Sequence, residues 1–111
     1  MKTLDDLKKL KLGKSHYKVK NGGSPVDIYG EINFRSKTLT LFPNNHPIND
    51  LDTLLHELLH AAWYYEKLPE RPREESVVTA LARGLAIILH DNPGLATLME
   101  NHLHNSSGKE S

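Results

Sequence analysis

Apolar positions change period along the chain, and the changes divide it into elements. In residues 3–10 the leucines Leu4, Leu7 and Leu10 recur at helical spacing after a Thr-Leu-Asp-Asp start, and Gly13 stands where such a helix would stop. A period of two takes over in residues 17–20 and returns in residues 26–34 and 38–42, with the turn-forming cluster Asn21-Gly22-Gly23-Ser24-Pro25 and the polar corner Arg35-Ser36-Lys37 between these runs. The pattern predicts a small antiparallel sheet of about three strands.

Beyond the loop at residues 43–47 the period returns to helical. A helix is expected over residues 51–66 with Asn49 or Asp50 as its cap, and Pro69 and Pro72 break the chain after it. A third helix is expected over residues 73–90, with Val77, Val78, Leu81, Leu85 and Ile88 on one side, stopping at Asp91-Asn92-Pro93-Gly94. A last short helix would use Asn92 as cap and Pro93 at its first position, covering Leu95, Leu98, Met99 and Leu103. The fold class is therefore α+β: one domain over residues 1–104, with a disordered tail over 105–111.

Composition narrows the function classes. A chain of 111 residues with 38% apolar and only 6% aromatic residues has a modest core, which a bound metal could help stabilise. A formal charge of zero gives no global basic field, so no nucleic-acid partner is expected. Cysteine is absent, which removes disulfides, thiol catalysis and thiolate metal sites and leaves histidine and carboxylate as the strong ligands. The first twelve residues hold no continuous apolar run, so neither a signal peptide nor a membrane contact is expected, and the protein is placed in the cytoplasm.

The candidate chemistry lies in His56-Glu57-Leu58-Leu59-His60. Histidines four residues apart on a helix project from one side, one turn apart, and can share a metal ion, while the glutamate after the first lies about 100° further round, near the ion but not on it. A zinc-bound water has its pKa lowered to around 7, and a carboxylate beside it can take its proton. On the helical wheel Leu51, Leu54, Leu55, Leu58 and Ala62 form a core face, separate from the histidine face that Leu59 and Trp63 flank.

A catalytic zinc site needs a third protein ligand. Glu74 and Glu75 open the next helix and are the best-placed donors, although acidic residues also favour a first helical turn through the helix dipole. The wheel puts Glu74 near the centre of the Val78/Leu81/Leu85 face, where an unpaired carboxylate is costly, and Glu75 at its edge, before the small Ser76. His90 stands near a helix C-terminus, and His102 and His104 share no helical face, so these three read as surface residues. Tyr64, Tyr65 and His46 are the candidates for stabilising an oxyanion, each with a simpler packing or loop explanation.

Leu54-Leu55-His56-Glu57-Leu58-Leu59-His60-Ala61, with a small sheet before it and Glu74-Glu75 and Leu81-Ala82-Arg83-Gly84-Leu85 after it, resembles the compact zincin-type domains of phage and prophage genomes, which are similar to the ImmA/IrrE metallopeptidases. The resemblance covers roughly residues 15–95 and implies a sheet packed on the active-site helix, Zn2+ as the metal and a gluzincin-like glutamate ligand from the following helix. Because the liganding glutamate of such motifs is typically followed by a small residue, the resemblance selects Glu75, with Glu74 as the alternate. SprT-like domains share the His-Glu-x-x-His-Ala start but are expected to use a third histidine closer downstream, and none lies between His60 and His90. The implied activity is peptide hydrolysis in a phage or bacterial host cell, with Glu57 as general base and a protein or peptide substrate, added as a strand at a sheet edge such as residues 38–42. The alternative is a zinc-binding regulatory or interaction module that keeps the fold with little or no hydrolysis.

Overall fold

Lys9, Leu10, Lys11 and Leu12 alternate polar and apolar, and in the computed structural model they form a strand. Residues 6–22, 30–42, 46–69 and 73–105 are described. Four strands, β1 (Lys9–Leu12), β2 (Ser15–Asn21), β3 (Gly30–Asn33) and β4 (Thr38–Leu41), precede three helices, α1 (Pro47–Tyr65), α2 (Glu74–Asp91) and α3 (Leu95–Asn105). The fold is α+β, as the periodicity implied.

The sheet differs from expectation in three ways. It has four strands, because β1 occupies the end of the expected N-terminal helix: Leu10 and Leu12 turn inward at period two, and the backbone N–H of Val19 donates to the carbonyl of Lys8. The expected helix over 3–10 therefore fails at its C-terminal end, and residues 3–5 lie outside the described residues. The sheet is also mixed, in the order β1-β2-β4-β3, with β2 parallel to β4 and the other two pairs antiparallel. Residues 38–42 are consequently not an edge: β4 lies inside the sheet, and β3, which packs on α1, is an edge strand among the described residues.

Two turns fix the register. Gly13 adopts φ 61° in the two-residue β1–β2 connection, and a Cβ there would lie 2.7 Å from the Tyr65 ring. Gly13 thus serves a hairpin and a close packing contact rather than a helix end. Between β3 and β4 the Asn33 side-chain carbonyl accepts from the backbone N–H groups of Arg35 and Ser36, both at 2.9 Å. Of the expected 26–34 strand, residues 30–33 are found, Phe34 enters this turn, and residues 26–29 lie outside the described residues.

Val19, Leu39 and Leu41 form the core of the inner sheet face, with Leu7, Leu10, Ile32 and Leu54 packed against it. α1 lies between this sheet and α2. It begins earlier than expected: His46, not Asn49 or Asp50, caps it through Nδ1, which accepts from the Asn49 N–H, and Pro47 fills the first position. It ends in a left-handed cap, with Lys67 at φ 59°, the Leu68 N–H bonded to the Trp63 carbonyl and the Lys67 N–H bonded to that of Tyr64.

On α1 the buried residues are Glu57 and Ala61, while Ala62, expected in the core, is exposed. On α2 they are Val78, Ala82 and Ala86, while Val77, Leu81, Leu85 and Ile88 are exposed. α2 meets α1 through Val78, Ala82 and Ala86, so its core face is rotated by about 100° from the one its large side chains suggested. Asn92 does not cap α3 but closes α2, its side-chain amide donating to the Ile88 carbonyl, and α3 starts at Leu95 after Gly94 at φ 91°. Asn105 is the last residue of α3, and the expected tail beyond it lies outside the described residues. Among the described residues no helix is long and apolar enough to cross a membrane.

Gly13→Ala should destabilise the fold by about 1–3 kcal/mol, since it meets both the positive φ and the Tyr65 ring. Equilibrium denaturation of the two proteins checks this, and an unchanged midpoint would mean that the hairpin does not need glycine there.

Candidate metal centre

Ring spacing on α1 is set by the helix. His56 and His60 stand one turn apart with ring centroids 4.8 Å apart and their Nε2 atoms 3.2 Å from each other. The first turn of α2 arrives opposite them, and the Glu75 carboxylate spans the pair: one oxygen lies 3.0 Å from His56 Nε2, the other 2.9 Å from His60 Nε2. Thr79, one turn along α2, donates to Glu75 Oε2 at 3.2 Å and orients it. His56, His60 and Glu75 form a group that could hold a metal ion.

The spacing itself tests the fit. Four ligands around a tetrahedral zinc with bonds of 2.0–2.1 Å stand about 3.3 Å from one another. The two histidine nitrogens, 3.2 Å apart, are close to that edge length and point into the same space, while Glu75 meets them through different oxygens; taking one donor atom from each of the three residues, all lie within 4.8 Å of one another.

Glu74 and Glu75 separate into two roles. Glu74 Oε2 lies 2.8 Å from His60 Nδ1, the nitrogen on the far side of the ring. A carboxylate only accepts, so Nδ1 carries the hydrogen and Nε2 is left for a ligand. Glu75 is therefore the donor grouped with the histidines, and the alternate, Glu74, sits behind His60.

Glu57 lies on the buried face of α1, next to Gly30 of the edge strand, where a Cβ would come within 2.8 Å of the Thr53 methyl and 3.4 Å of Glu57 Cγ. Burial raises its pKa above the ordinary carboxylate value. His56 and His60 pull it down, and the charges of Glu75 and Glu31 push it further up. For His60, burial acts to lower the pKa, but the carboxylates of Glu74, Glu75 and Glu57 outweigh it and the net shift is upward.

These groups line an open cleft of about 580 Å³ between α1, the first turn of α2 and β3. Its other wall is apolar: Phe34 and Tyr64 stack at 4.1 Å, with Trp63 and Leu68 beside them. The Trp63 indole N–H donates to the Pro69 carbonyl at 3.0 Å, which ties the end of α1 to the following segment. Of the three oxyanion candidates only Tyr64 lines the cleft: His46 caps α1, and the Tyr65 hydroxyl pairs with that of buried Tyr17. His90 pairs with Asp91 and His104 with Glu100, and the metal-ligand group among the described residues includes none of His90, His102 or His104.

Sequence reasoning missed Gly30, Phe34 and Thr79. A glycine inside a period-two run signals a close backbone approach, and Thr79 stands at helical spacing from Glu75, so two of the three had a readable signal. No known family, curated protein or solved structure matches the chain. What the site does must follow from its own geometry.

Removing the Glu74 carboxylate should weaken metal binding about 10–100-fold by freeing the His60 ring, and removing that of Glu75 should cost more because a ligand is lost. Titrating zinc into Glu74→Gln and Glu75→Gln checks the order, and the reverse order would exchange the two roles. A pH series gives a second check. In metal-free protein the raised His60 pKa contributes stability that is full below the ordinary value of 6.5 and lost as pH climbs through the folded value. The stability advantage over His60→Ala should therefore shrink from about pH 5.5 to pH 8.5, whereas the stabilisation from added zinc, which competes with protons, should grow. Denaturation with chelator and with zinc at both pH values measures both, and equal slopes would remove His60 from the site.

Proposed function

We propose that the protein is a zinc-dependent metallopeptidase in which His56, His60 and Glu75 hold Zn2+ and Glu57 is the general base. The observation supporting it most is that two histidines from one helix and a glutamate from the next bring one donor atom each to within 4.8 Å of one another in an open cleft, directly beside a buried glutamate. A structural zinc site is closed by four protein ligands, while a His₂Glu set leaves a position open. A purely structural site also has no use for the Glu57 carboxylate.

Bound zinc would polarise the scissile carbonyl and lower the pKa of a water at its open position. Glu57 takes the proton from the attacking water and delivers it to the leaving amine nitrogen. Its upward pKa shift brings it nearer the working pH, as proton transfer in both directions requires. Gly30 leaves room for β3 to run close to Glu57, so an extended peptide could pair with the outer side of β3, an edge strand among the described residues, and pass the carboxylate. The Phe34, Trp63, Tyr64 and Leu68 wall would take an apolar side chain of that peptide. Kinship with the ImmA/IrrE metallopeptidases and a place in the cytoplasm of a phage-infected or bacterial cell belong to the same proposal.

Purified protein should contain about one zinc per chain, retained in Glu57→Gln and lost in His60→Ala. Hydrolysis of a fluorogenic peptide library should fall by about 10²–10⁴-fold in Glu57→Gln. Full activity in that variant would remove Glu57 from the base role. Zinc-loaded protein that cleaves no peptide would favour the regulatory or interaction module instead.

A further inference from the structure

The alternation along the strands sorts charge as well as apolar residues. Tyr17 and Val19 of β2 and Leu39 and Leu41 of β4 are buried on the inner face of the sheet, and Leu10 and Leu12 of β1 turn the same way. Their neighbours in sequence, Lys9, Lys11, His16, Lys18 and Lys20, therefore lie on the opposite face, and all five are exposed. The register sets them in adjacent rows: Lys18 lies between Lys9 and Thr38, Lys11 stands opposite His16, and Lys20 stands beside Thr40. Lysines on one strand follow at about 7 Å, and the rows are about 5 Å apart. Glu31 of β3, opposite Thr40, is the one acidic side chain on this face of the described strands.

The zero charge of the whole chain conceals this segregation. Residues 1–42 hold nine of the 14 lysines and arginines but four of the 14 aspartates and glutamates, so they carry +5 against −5 for the remainder. Like charges directly opposite on neighbouring strands destabilise a sheet, and Lys9 against Lys18 is such a pair. No ion pair offsets it: among the described residues the only lysine or arginine in an ion pair is Arg83, with Asp52. The exposed large apolar side chains among the described residues all lie from Tyr64 onward, none of them on the sheet. The lysine face thus has no apolar anchor for a protein interface, nothing to insert into a bilayer, and no exposed aromatic ring on which an unpaired base could stack.

We propose that this lysine face of the sheet binds the phosphate backbone of a nucleic-acid duplex without reading its sequence. Lysine ammonium groups and threonine hydroxyls, here those of Thr38 and Thr40, are donors that phosphate contacts use. A duplex carries one negative charge per about 1.7 Å of its axis, dense enough to meet several of the lysines at once. A phosphate beside Lys9 and Lys18 would turn their mutual repulsion into two attractions, which gives the unfavourable pair a reason to stand where it does. The metal cleft is lined from the other side, by α1, the first turn of α2 and β3, so this inference does not depend on the peptidase reading.

Fluorescence anisotropy of a labelled DNA duplex of about 20 base pairs, titrated with the full chain, tests this. Contacts from Lys9, Lys11, Lys18 and Lys20 should give a slope of log affinity against log salt of about −3.6, so that Kd rises about 150-fold between about 50 and 200 mM salt. Lys18→Gln and Lys20→Gln should each take about 0.9 off the slope and weaken binding equally for duplexes of different sequence. Lys67→Gln, an equal loss of charge just beyond α1, should leave the slope unchanged. Lys18→Gln should also melt no lower than the parent, because it removes a repulsion, and this separates lost binding from lost folding. No binding at about 20 mM salt, a slope that Lys18→Gln and Lys20→Gln leave unchanged, or equally tight binding to polyglutamate or to phosphatidylserine vesicles would overturn the proposal.

Discussion

The antiparallel docking of α2 on α1 through small side chains positions the rest of the site. Val78, Ala82 and Ala86 of α2 are buried, and small side chains at a helix contact let two backbones approach closely. Two cross-links fix the register: Glu75 meets His56 and His60 at one end, and Arg83 meets Asn49 and Asp52 at the other. Glu75 and Arg83 are eight residues apart, as are His60 and Asp52, and eight residues span about 12 Å on either helix. The two intervals match because the helices run antiparallel, so a slip of one turn would break both ends together.

That docking gathers three carboxylates and two imidazoles into a small volume, and the electrostatic cost shapes the site. The charges of Glu75 and Glu31 oppose ionisation of Glu57, and His60 is drawn toward its protonated form by Glu74 and Glu75. The α2 N-terminus offsets part of this, since its free N–H groups favour acidic residues in the first turn. A divalent cation among the His56, His60 and Glu75 donors would relieve most of the remainder. It would replace the proton shared between His60 and Glu75 and turn the Glu75 field from opposing Glu57 ionisation to neutral.

The histidine pair and Glu57 were legible in the sequence because their relation depends only on the pitch of one helix. The third donor was legible only through the family resemblance, which selected Glu75; the helical wheel could not choose it over Glu74, because that choice requires the register of two helices. The wheel leaned to Glu74 because the large residues Leu81 and Leu85 were taken for the core, whereas the contact with α1 uses Val78, Ala82 and Ala86. Hydrophobicity ranks side chains by transfer energy, but a helix contact also selects for size, and here size decided. The N-terminal segment misled for a different reason: Leu4, Leu7 and Leu10 read at period three, while Leu10 and Leu12 read at period two, and pairing with β2 selected the second. Edge and interior strands were equally unreadable, since β3 and β4 have the same local alternation and only the parallel pairing of β2 with β4 sends β3 outward.

α2 therefore has to satisfy three demands at once. Its first turn supplies Glu74 and Glu75, its alanine face meets α1, and its third face is as apolar as a core helix while open to solvent. A helix that is apolar on nearly all sides is stable when those sides are covered. Among the described residues α1 covers one side of it, and the Glu75 side chain, 68% exposed, depends on α2 for its position. Covering the outer face would hold α2 from both sides and restrict the motion of its first turn relative to α1.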